Sequence, residues 1–181
     1  MSQTDSMNVS EDNTEAFESK TDGGDETLAR LDDERANRKL DDDILMLAQA
    51  AANMADDIKG EKPIILNIGA KTSYCDYFVV SSAPSERQVM AISNSIETTF
   101  RKAGYKPIGV EGKGDGNWVL LDFGDFVVHT FLSGAREYYD LEGFWVDAPR
   151  IPFDPEAGAR RAKELEAEGE RLAAERNEES F

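Results

Sequence analysis

Two short apolar runs constrain the fold of this chain more than any other feature. Residues 64–68 are Ile-Ile-Leu-Asn-Ile and residues 77–81 are Tyr-Phe-Val-Val-Ser. A strand with one face in water alternates apolar and polar residues, whereas a strand covered on both faces is apolar at nearly every position. The two runs therefore predict strands at the centre of a sheet, with helices packed on both of its faces.

Two amphipathic helices are predicted around these strands. Apolar residues recur at spacings of three and four between residues 44 and 58, which places them on one side of a helix. The second helix is predicted to begin at Ser85, because Ser85 and Gln88 have the spacing of a capping box, in which each side chain bonds the other's backbone N–H. An apolar stripe over residues 89–103 follows, and Gly104 is a typical helix terminator.

The second half of the chain predicts a strand, a hairpin and a short helix. Residues 107–110 form the strand, residues 118–121 and 126–131 form the hairpin around a turn at 122–125, and residues 135–145 form the helix. The order is helix, two strands, helix, three strands, helix. We therefore expect an α/β fold of the mixed α+β kind, with a five-stranded mixed sheet flanked by helices.

Composition divides the chain into three parts. Residues 1–39 are rich in acidic and small polar residues, and they hold too little apolar surface to offset the entropy of ordering, so we predict a disordered acidic extension. Residues 40–150 hold most of the aromatic and β-branched residues and are the predicted domain. Residues 151–181 combine strong helix formers with alternating charge and few apolar positions, which predicts a charged tail that is either a solvated helix or disordered.

Charge and cysteine content exclude several classes of function. The formal net charge is -17, which disfavours direct DNA binding because Lys and Arg drive the binding of phosphates. The same charge either favours a basic protein partner or serves only to keep the protein soluble. The single cysteine, Cys75, excludes an internal disulfide and a multi-thiolate metal site. No apolar stretch approaches the ~18–20 residues that span a bilayer, and the acidic N-terminus has no signal-peptide pattern, so a cytoplasmic location is expected.

The glycine-rich loop at residues 112–116 and the only histidine, His129, are candidates for chemistry. The loop lacks the third glycine of a dinucleotide-binding loop at position 117, and it leads into a strand rather than a helix, so its amides cannot cradle a phosphate. We interpret it as a flexible connection. His129 lies in a predicted strand without a neighbouring nucleophile or further ligands, which indicates a structural, hydrogen-bonded histidine.

Three acidic residues could in principle gather a divalent metal ion, namely Asp76, Asp122 and Asp125. Sites of nucleotidyl transfer usually place two acids at alternate positions of one strand, so that both reach the same ion. The second acid is missing after Asp76, where Tyr77 and Phe78 follow. The sequence therefore predicts no catalytic residue, no metal ion and no cofactor.

Trp118 stands apart from the other aromatic residues. It follows the glycine-rich loop at the start of a predicted strand, where one face of a side chain is often exposed. An exposed tryptophan with a tyrosine and acidic residues nearby is typical of a protein-binding hot spot.

Several blocks of the sequence together resemble the Iojap or ribosomal silencing factor family. They occur in the family's order and spacing at residues 72–80, 85–89, 109–112, 118–125, 127–129 and 138–142, and at Trp145. The resemblance covers roughly residues 40–148. Tyr74 departs from the pattern, because the family commonly has a small aliphatic residue there.

The resemblance implies a fold similar to that of nucleotidyltransferases, without their catalytic acids. It implies a non-enzymatic protein that binds the large ribosomal subunit through its protein fourteen, blocks association with the small subunit and represses translation under nutrient limitation. It also implies a homodimer when the protein is free. By position, the implied contact residues are Trp118, Asp122, Phe123 and Tyr139, with Glu111 and Asp125 as flanking acids. The alternative is a nucleotide- or metal-binding enzyme on the same scaffold.

Overall fold

A computed structural model of the chain describes residues 42–179, so the extension predicted at residues 1–39 lies outside the described residues. The helices are residues 42–57 (α1), Glu86–Lys102 (α2), Ser133–Tyr139 (α3), Leu141–Phe144 (α4) and Pro155–Glu178 (α5). The strands are Glu61–Asn67 (β1), Tyr77–Ala83 (β2), Gly109–Glu111 (β3), Trp118–Asp122 (β4), Phe126–Leu132 (β5) and Arg150–Ile151 (β6). The mixed α/β class predicted from the sequence is confirmed.

The strands form one mixed sheet in the order β3-β4-β5-β2-β1-β6. Among these six strands only β2 and β5 pair in parallel, and the chain between them includes α2, which provides the crossover that parallel strands need. The sheet has six strands, one more than the sequence predicts. The additional strand, β6, is two residues long and pairs Ile151 with Ile65 and Arg150 with Leu66, so it is too short to show a pattern in the sequence.

Both faces of the sheet are covered, as the two apolar runs predict. On one face, α1, α2 and α5 enclose a large core in which Val79, Ile92 and Phe100 are fully buried. On the other face, a smaller core around Val80 and Phe131 is covered by α3 and α4. Successive side chains of a strand point to opposite faces, so neighbouring residues such as Val79 and Val80 belong to different cores.

The second helix begins and ends where the sequence predicts. The Ser85 side chain accepts a hydrogen bond from the Gln88 backbone N–H at 3.3 Å, and Gly104 follows the helix with a φ of 96°. The reciprocal half of the predicted capping box is wrong. The Gln88 side chain instead donates to the backbone oxygens of Ile58 and Lys59 at 2.8 and 2.9 Å. Gln88 therefore ties the start of α2 to the end of α1.

The charged tail predicted after residue 150 contains a 24-residue helix, α5. One side of this helix is packed on the domain: Leu165 is fully buried, and Gly158 and Gly169 are also buried. The backbones approach closely, because a Cβ atom on Gly158 would lie 2.6 Å from the carbonyl oxygen of Gln49 in α1. Of the two alternatives, the helix is present, but it is solvated only on its outer side.

The single helix predicted at residues 135–145 is divided into α3 and α4. The division lies at Asp140, whose φ of 43° cannot continue a right-handed helix. The Asp140 side chain accepts a hydrogen bond from the backbone N–H of Gly143 at 3.1 Å, which caps the start of α4. The chain changes direction there, and the end of α3 is brought to the start of β4.

Candidate functional site

A surface groove lined by aromatic residues lies where the start of β4 meets α3. Its volume is about 420 Å³, and we call it the aromatic groove. It is lined by Gly112, Asp115, Asn117, Trp118, Ala135, Tyr138 and Tyr139. Trp118 and Tyr139, which the family resemblance implies as contact residues, are thus brought together although they lie on different elements.

Trp118 is half-buried at the base of the aromatic groove. Its ring stacks on that of Phe131, with centroids 4.8 Å apart and an interplanar angle of 24°. The Tyr139 ring lies 5.1 Å away. The indole N–H donates a hydrogen bond to Nδ1 of His129 at 3.2 Å. Trp118 is therefore fixed by two aromatic neighbours and one hydrogen bond, while part of its ring stays accessible to a partner.

The glycine-rich loop beside Trp118 is held in place, in contrast to the flexible connection that the sequence indicates. Gly112 has a φ of 79°, and a Cβ atom there would lie 1.7 Å from the Trp118 carbonyl oxygen, so only glycine fits. Lys113 donates a hydrogen bond to Asn94 of α2 at 2.7 Å and forms an ion pair with Glu97. The hydrogen bond from Lys113 lowers the pKa of Glu97 below its ordinary value. The loop is a rigid wall of the groove.

The other wall, α3, is fixed by Arg136. The guanidinium Nε donates to the Glu142 carboxylate at 2.8 Å, and its terminal nitrogens donate to the Lys62 carbonyl oxygen at 3.0 Å. The hydrogen bond from Arg136 also lowers the pKa of Glu142. These contacts hold α3 against β1 and α4, so that Tyr138 and Tyr139 project from a fixed helix, with 82% and 54% of their surfaces exposed.

Phe123 and Asp125, two further residues implied by the resemblance, do not reach the aromatic groove. They lie at the turn of the β4–β5 hairpin, and β4 separates this turn from Trp118 by about 13 Å at ~3.3 Å per residue. The Phe123 ring packs on Phe126 and Phe100, with centroids 4.8 and 5.0 Å away, on the face covered by α1, α2 and α5. Asp125 is exposed at the same turn.

Asp122 is engaged within the protein. It is 9% exposed, and its carboxylate accepts hydrogen bonds from the Tyr74 hydroxyl at 2.6 Å and from the Gly124 backbone N–H at 2.8 Å. The bond to Asp122 raises the pKa of Tyr74 to about 12. Within residues 42–179 no group of three or more His, Cys, Asp or Glu side chains is arranged to hold a metal ion.

Glu111 and Asp115 are acidic residues at the aromatic groove, and of these two the family resemblance implies only Glu111. Glu111 is exposed in the edge strand β3, directly before Gly112 of the groove wall. Asp115 lies in the wall itself and is also exposed. The adjacent pair Tyr138 and Tyr139 also indicates an exposed aromatic surface, because two neighbouring residues of a helix cannot both face the core. Both tyrosines line the groove.

His129 and Cys75 are buried and do not form a nucleophilic or acid–base pair. His129 is 4% exposed, and burial lowers its pKa to about 4, so it is neutral at pH 7. Its Nδ1 accepts the Trp118 bond, in agreement with the hydrogen-bonded histidine that the sequence predicts. Burial raises the pKa of the Cys75 thiol to about 12, which leaves too little thiolate at pH 7 for a nucleophile.

Comparison with known proteins identifies the family of this chain. Residues 41–179 match the sequence model described as "Ribosomal silencing factor during starvation". The chain belongs to this ribosomal silencing factor family. Its relatives include the ribosomal silencing factor RsfS of Chromobacterium violaceum, which is 39% identical over 103 residues, covering 57% of this chain and 84% of that protein. A mouse relative named "Mitochondrial assembly of ribosomal large subunit protein 1" is 32% identical over 84 residues, 45% of this chain and 37% of that protein.

A solved structure shares the fold of this silencing-factor chain. The crystal structure of a Chromobacterium violaceum protein superposes with a TM-score of 0.54 at 37% identity, covering 59% of this chain and 88% of that one. The family match extends to residue 179 and so includes α5, beyond the boundary at residue 150 that the sequence indicates. None of the helices within residues 42–179 has the length and apolar character needed to cross a membrane. The cytoplasmic location and the homodimer stay predictions.

Proposed function

We propose that this silencing-factor chain docks on the large ribosomal subunit through the subunit's protein fourteen. Docking there covers the surface that meets the small subunit, so the subunits cannot associate and translation is repressed under nutrient limitation. The observation that carries the proposal is the aromatic groove, in which Trp118 and Tyr139 form accessible anchors on rigid elements. Large aromatic residues with few rotamers contribute most of the binding energy in many protein interfaces.

Charge supports a basic partner for this groove. Asp115 lies in its wall, Glu111 is exposed beside it, and Glu137 is exposed on α3 between groove residues. The chain as a whole has a net charge of -17. An acidic rim around aromatic anchors steers a basic protein surface toward the site and repels nucleic acid phosphates. The same acidity favours a ribosomal protein over ribosomal RNA as the direct contact.

Inhibition by steric occupancy of the large subunit requires only an interface of ordinary size. A standard protein–protein interface buries about 800 Å² on each partner. Steric exclusion of the small subunit then needs no conformational change and no chemistry. The enzyme alternative has less support: Asp122 is held by Tyr74, and the glycine-rich loop leads into β4 rather than into a helix.

Sedimentation through density gradients with separated ribosomal subunits tests the proposal. The chain is expected to migrate with large subunits and to inhibit their joining to small subunits. Substituting Trp118→Ala should cost about 2–4 kcal/mol of binding, or roughly thirty- to a thousandfold in affinity. Because Trp118 also packs on Phe131, its variant should melt somewhat earlier. Equal partitioning onto small subunits, or normal subunit joining, would contradict the proposal.

Tyr139→Ala and Phe144→Ala form a matched pair in the same assay. Tyr139 lines the aromatic groove, whereas Phe144 is 82% exposed on α4 and does not line it. Loss of affinity is expected for Tyr139→Ala alone, with little change in melting temperature for either variant. A comparable loss for Phe144→Ala would place the contact elsewhere.

A further inference from the structure

Within residues 42–179, the one hydrogen bond of the His129 side chain is directed at the aromatic groove. Its side chain is 4% exposed, packs edge-on against Phe78 with centroids 4.6 Å apart, and donates or accepts no other hydrogen bond that the described residues provide. Nδ1 accepts the indole N–H of Trp118 at 3.2 Å, and Nε2 is buried without a hydrogen-bond partner. A buried polar atom without a partner is unfavourable. An apolar residue would avoid this cost, so the packing of the core does not explain the imidazole.

Trp118 depends on this bond for one fixed orientation. Phe131 stacks on its ring and Tyr139 packs against it at a tilt, and such contacts do not distinguish the two ring orientations related by a half-turn about the Cβ–Cγ bond. The hydrogen bond to His129 distinguishes them, because the indole N–H has a partner in one orientation only.

We propose that His129 is a positioning residue for docking: its Nδ1 holds the Trp118 indole in the orientation that the aromatic groove presents to the partner. The proposal rests on the proposed function, since docking is what the orientation serves. Nδ1 can accept only while the imidazole is neutral with its proton on Nε2. Burial keeps the ring neutral at pH 7. A ring fixed before binding loses less entropy on binding, so the bond contributes to affinity as well as to folding.

A double-mutant cycle separates this role from a structural one. His129→Phe removes the acceptor and keeps an aromatic ring, whereas His129→Asn places a side-chain oxygen on the same carbon that bears Nδ1. Each is combined with Trp118→Phe, which removes the indole N–H. Affinity for isolated large subunits and the melting temperature are measured for all variants of the full chain.

The expected pattern follows from the loss of one hydrogen bond. His129→Phe should weaken binding by about three- to tenfold, and His129→Asn should restore affinity to within about twofold of the wild type. In the Trp118→Phe background, His129→Phe should change affinity by less than about twofold, because the bond is already absent. If His129→Phe does not fold, His129→Leu takes its place in the cycle.

The two indole N–H signals of ¹⁵N-labelled protein provide a second readout, with Trp145 as the internal reference. In His129→Phe the Trp118 signal should shift and exchange faster with solvent, and in His129→Asn it should stay protected. The positioning role is overturned if His129→Phe weakens binding equally in both backgrounds, binds at full strength, or leaves the Trp118 signal unchanged. Failure of the wild type to bind large subunits would instead overturn the proposed function, and this proposal with it.

Discussion

Substituting Gly158→Ala tests whether α5 is an integral part of the domain. Gly158 lies in the first turns of α5, where it faces α1. A Cβ atom built there would lie 2.6 Å from the carbonyl oxygen of Gln49 and 2.8 Å from Cβ of Asn53. Non-bonded carbon atoms prefer separations of about 3.5–4.0 Å, so the helices must move apart to accept the methyl group.

Two opposing effects decide the magnitude. Alanine is favoured over glycine in a helix by up to about 1 kcal/mol, which stabilises the variant. Overpacking a close contact costs about 1–3 kcal/mol, and here the obstacle is backbone, which cannot move away as the end of a side chain does. The cost of overpacking should dominate. We expect a net loss of about 1–2 kcal/mol, which corresponds to a melting temperature lowered by roughly 2–8 °C for a domain of this size.

Thermal and urea unfolding followed by circular dichroism measure this change. Gly134→Ala is the matched control, because Gly134 lies in α3 with nothing within 4 Å of a built Cβ atom. The control should be neutral or slightly stabilising, since only the propensity effect remains. A Gly158→Ala protein that is as stable as the control would show that α5 does not pack on α1 as described.

Three further predictions concern buried or bonded groups. Leu165→Ala should cost about 2–5 kcal/mol of unfolding free energy in urea titrations, because Leu165 is fully buried; a loss below about 1 kcal/mol would contradict its place in the core. Stability should be full above pH ~6.5, the ordinary pKa of histidine, and should fall toward pH 4. Between these pH values the histidine of the unfolded chain binds a proton, whereas buried His129, with its pKa of about 4, stays neutral. If the stability of His129→Phe depended on pH in the same way as that of the wild type, this explanation would be refuted. Tyr74→Phe should cost about 0.5–1.5 kcal/mol through its lost bond to Asp122, while Tyr138→Phe, exposed by 82%, should cost nothing measurable.

Local periodicity made much of the fold predictable. The run at residues 64–68 and the run at 77–81 indicated strands because covered strands are apolar at nearly every position, and β1 and β2 include most of both runs. The start of α2 was predictable from Ser85, since an N-cap bond joins residues only three apart in sequence. Such signals are contained in a few consecutive residues.

Which elements pack or pair with one another in space could not be predicted from such local patterns. The parallel pairing of β2 with β5 joins segments far apart in the chain, and no short pattern records a partner strand. The two-residue strand β6 exists only because β1 offers it a free edge. Gln88 shows the same limit of prediction from local sequence, because its side chain donates hydrogen bonds to the distant carbonyl oxygens of Ile58 and Lys59 instead of bonding the backbone N–H of Ser85.

The packing of α5 on the domain could not be predicted from the hydropathy pattern for a related reason. Its buried side consists of Leu165 with small residues, among them Gly158 and Gly169, which add little apolar character to the sequence. Small residues stabilise a helix contact by letting two backbones approach, and this is visible only when the partner helix is in place.

The sequence by itself determined the class of fold, the acidic charge and the residues that carry the family resemblance, because each depends on residue type and local spacing. The tertiary structure decided which of those residues share a surface. Trp118 and Phe123 lie on one strand and its turn, yet one ring faces the aromatic groove and the other faces the core under α2. The partner of the indole, His129, was fixed by the register of β4 against β5, which pairs Leu120 with His129 and Trp118 with Phe131. Register depends on pairing across the whole sheet, and so the geometry of the site belongs to the folded chain rather than to any segment of it.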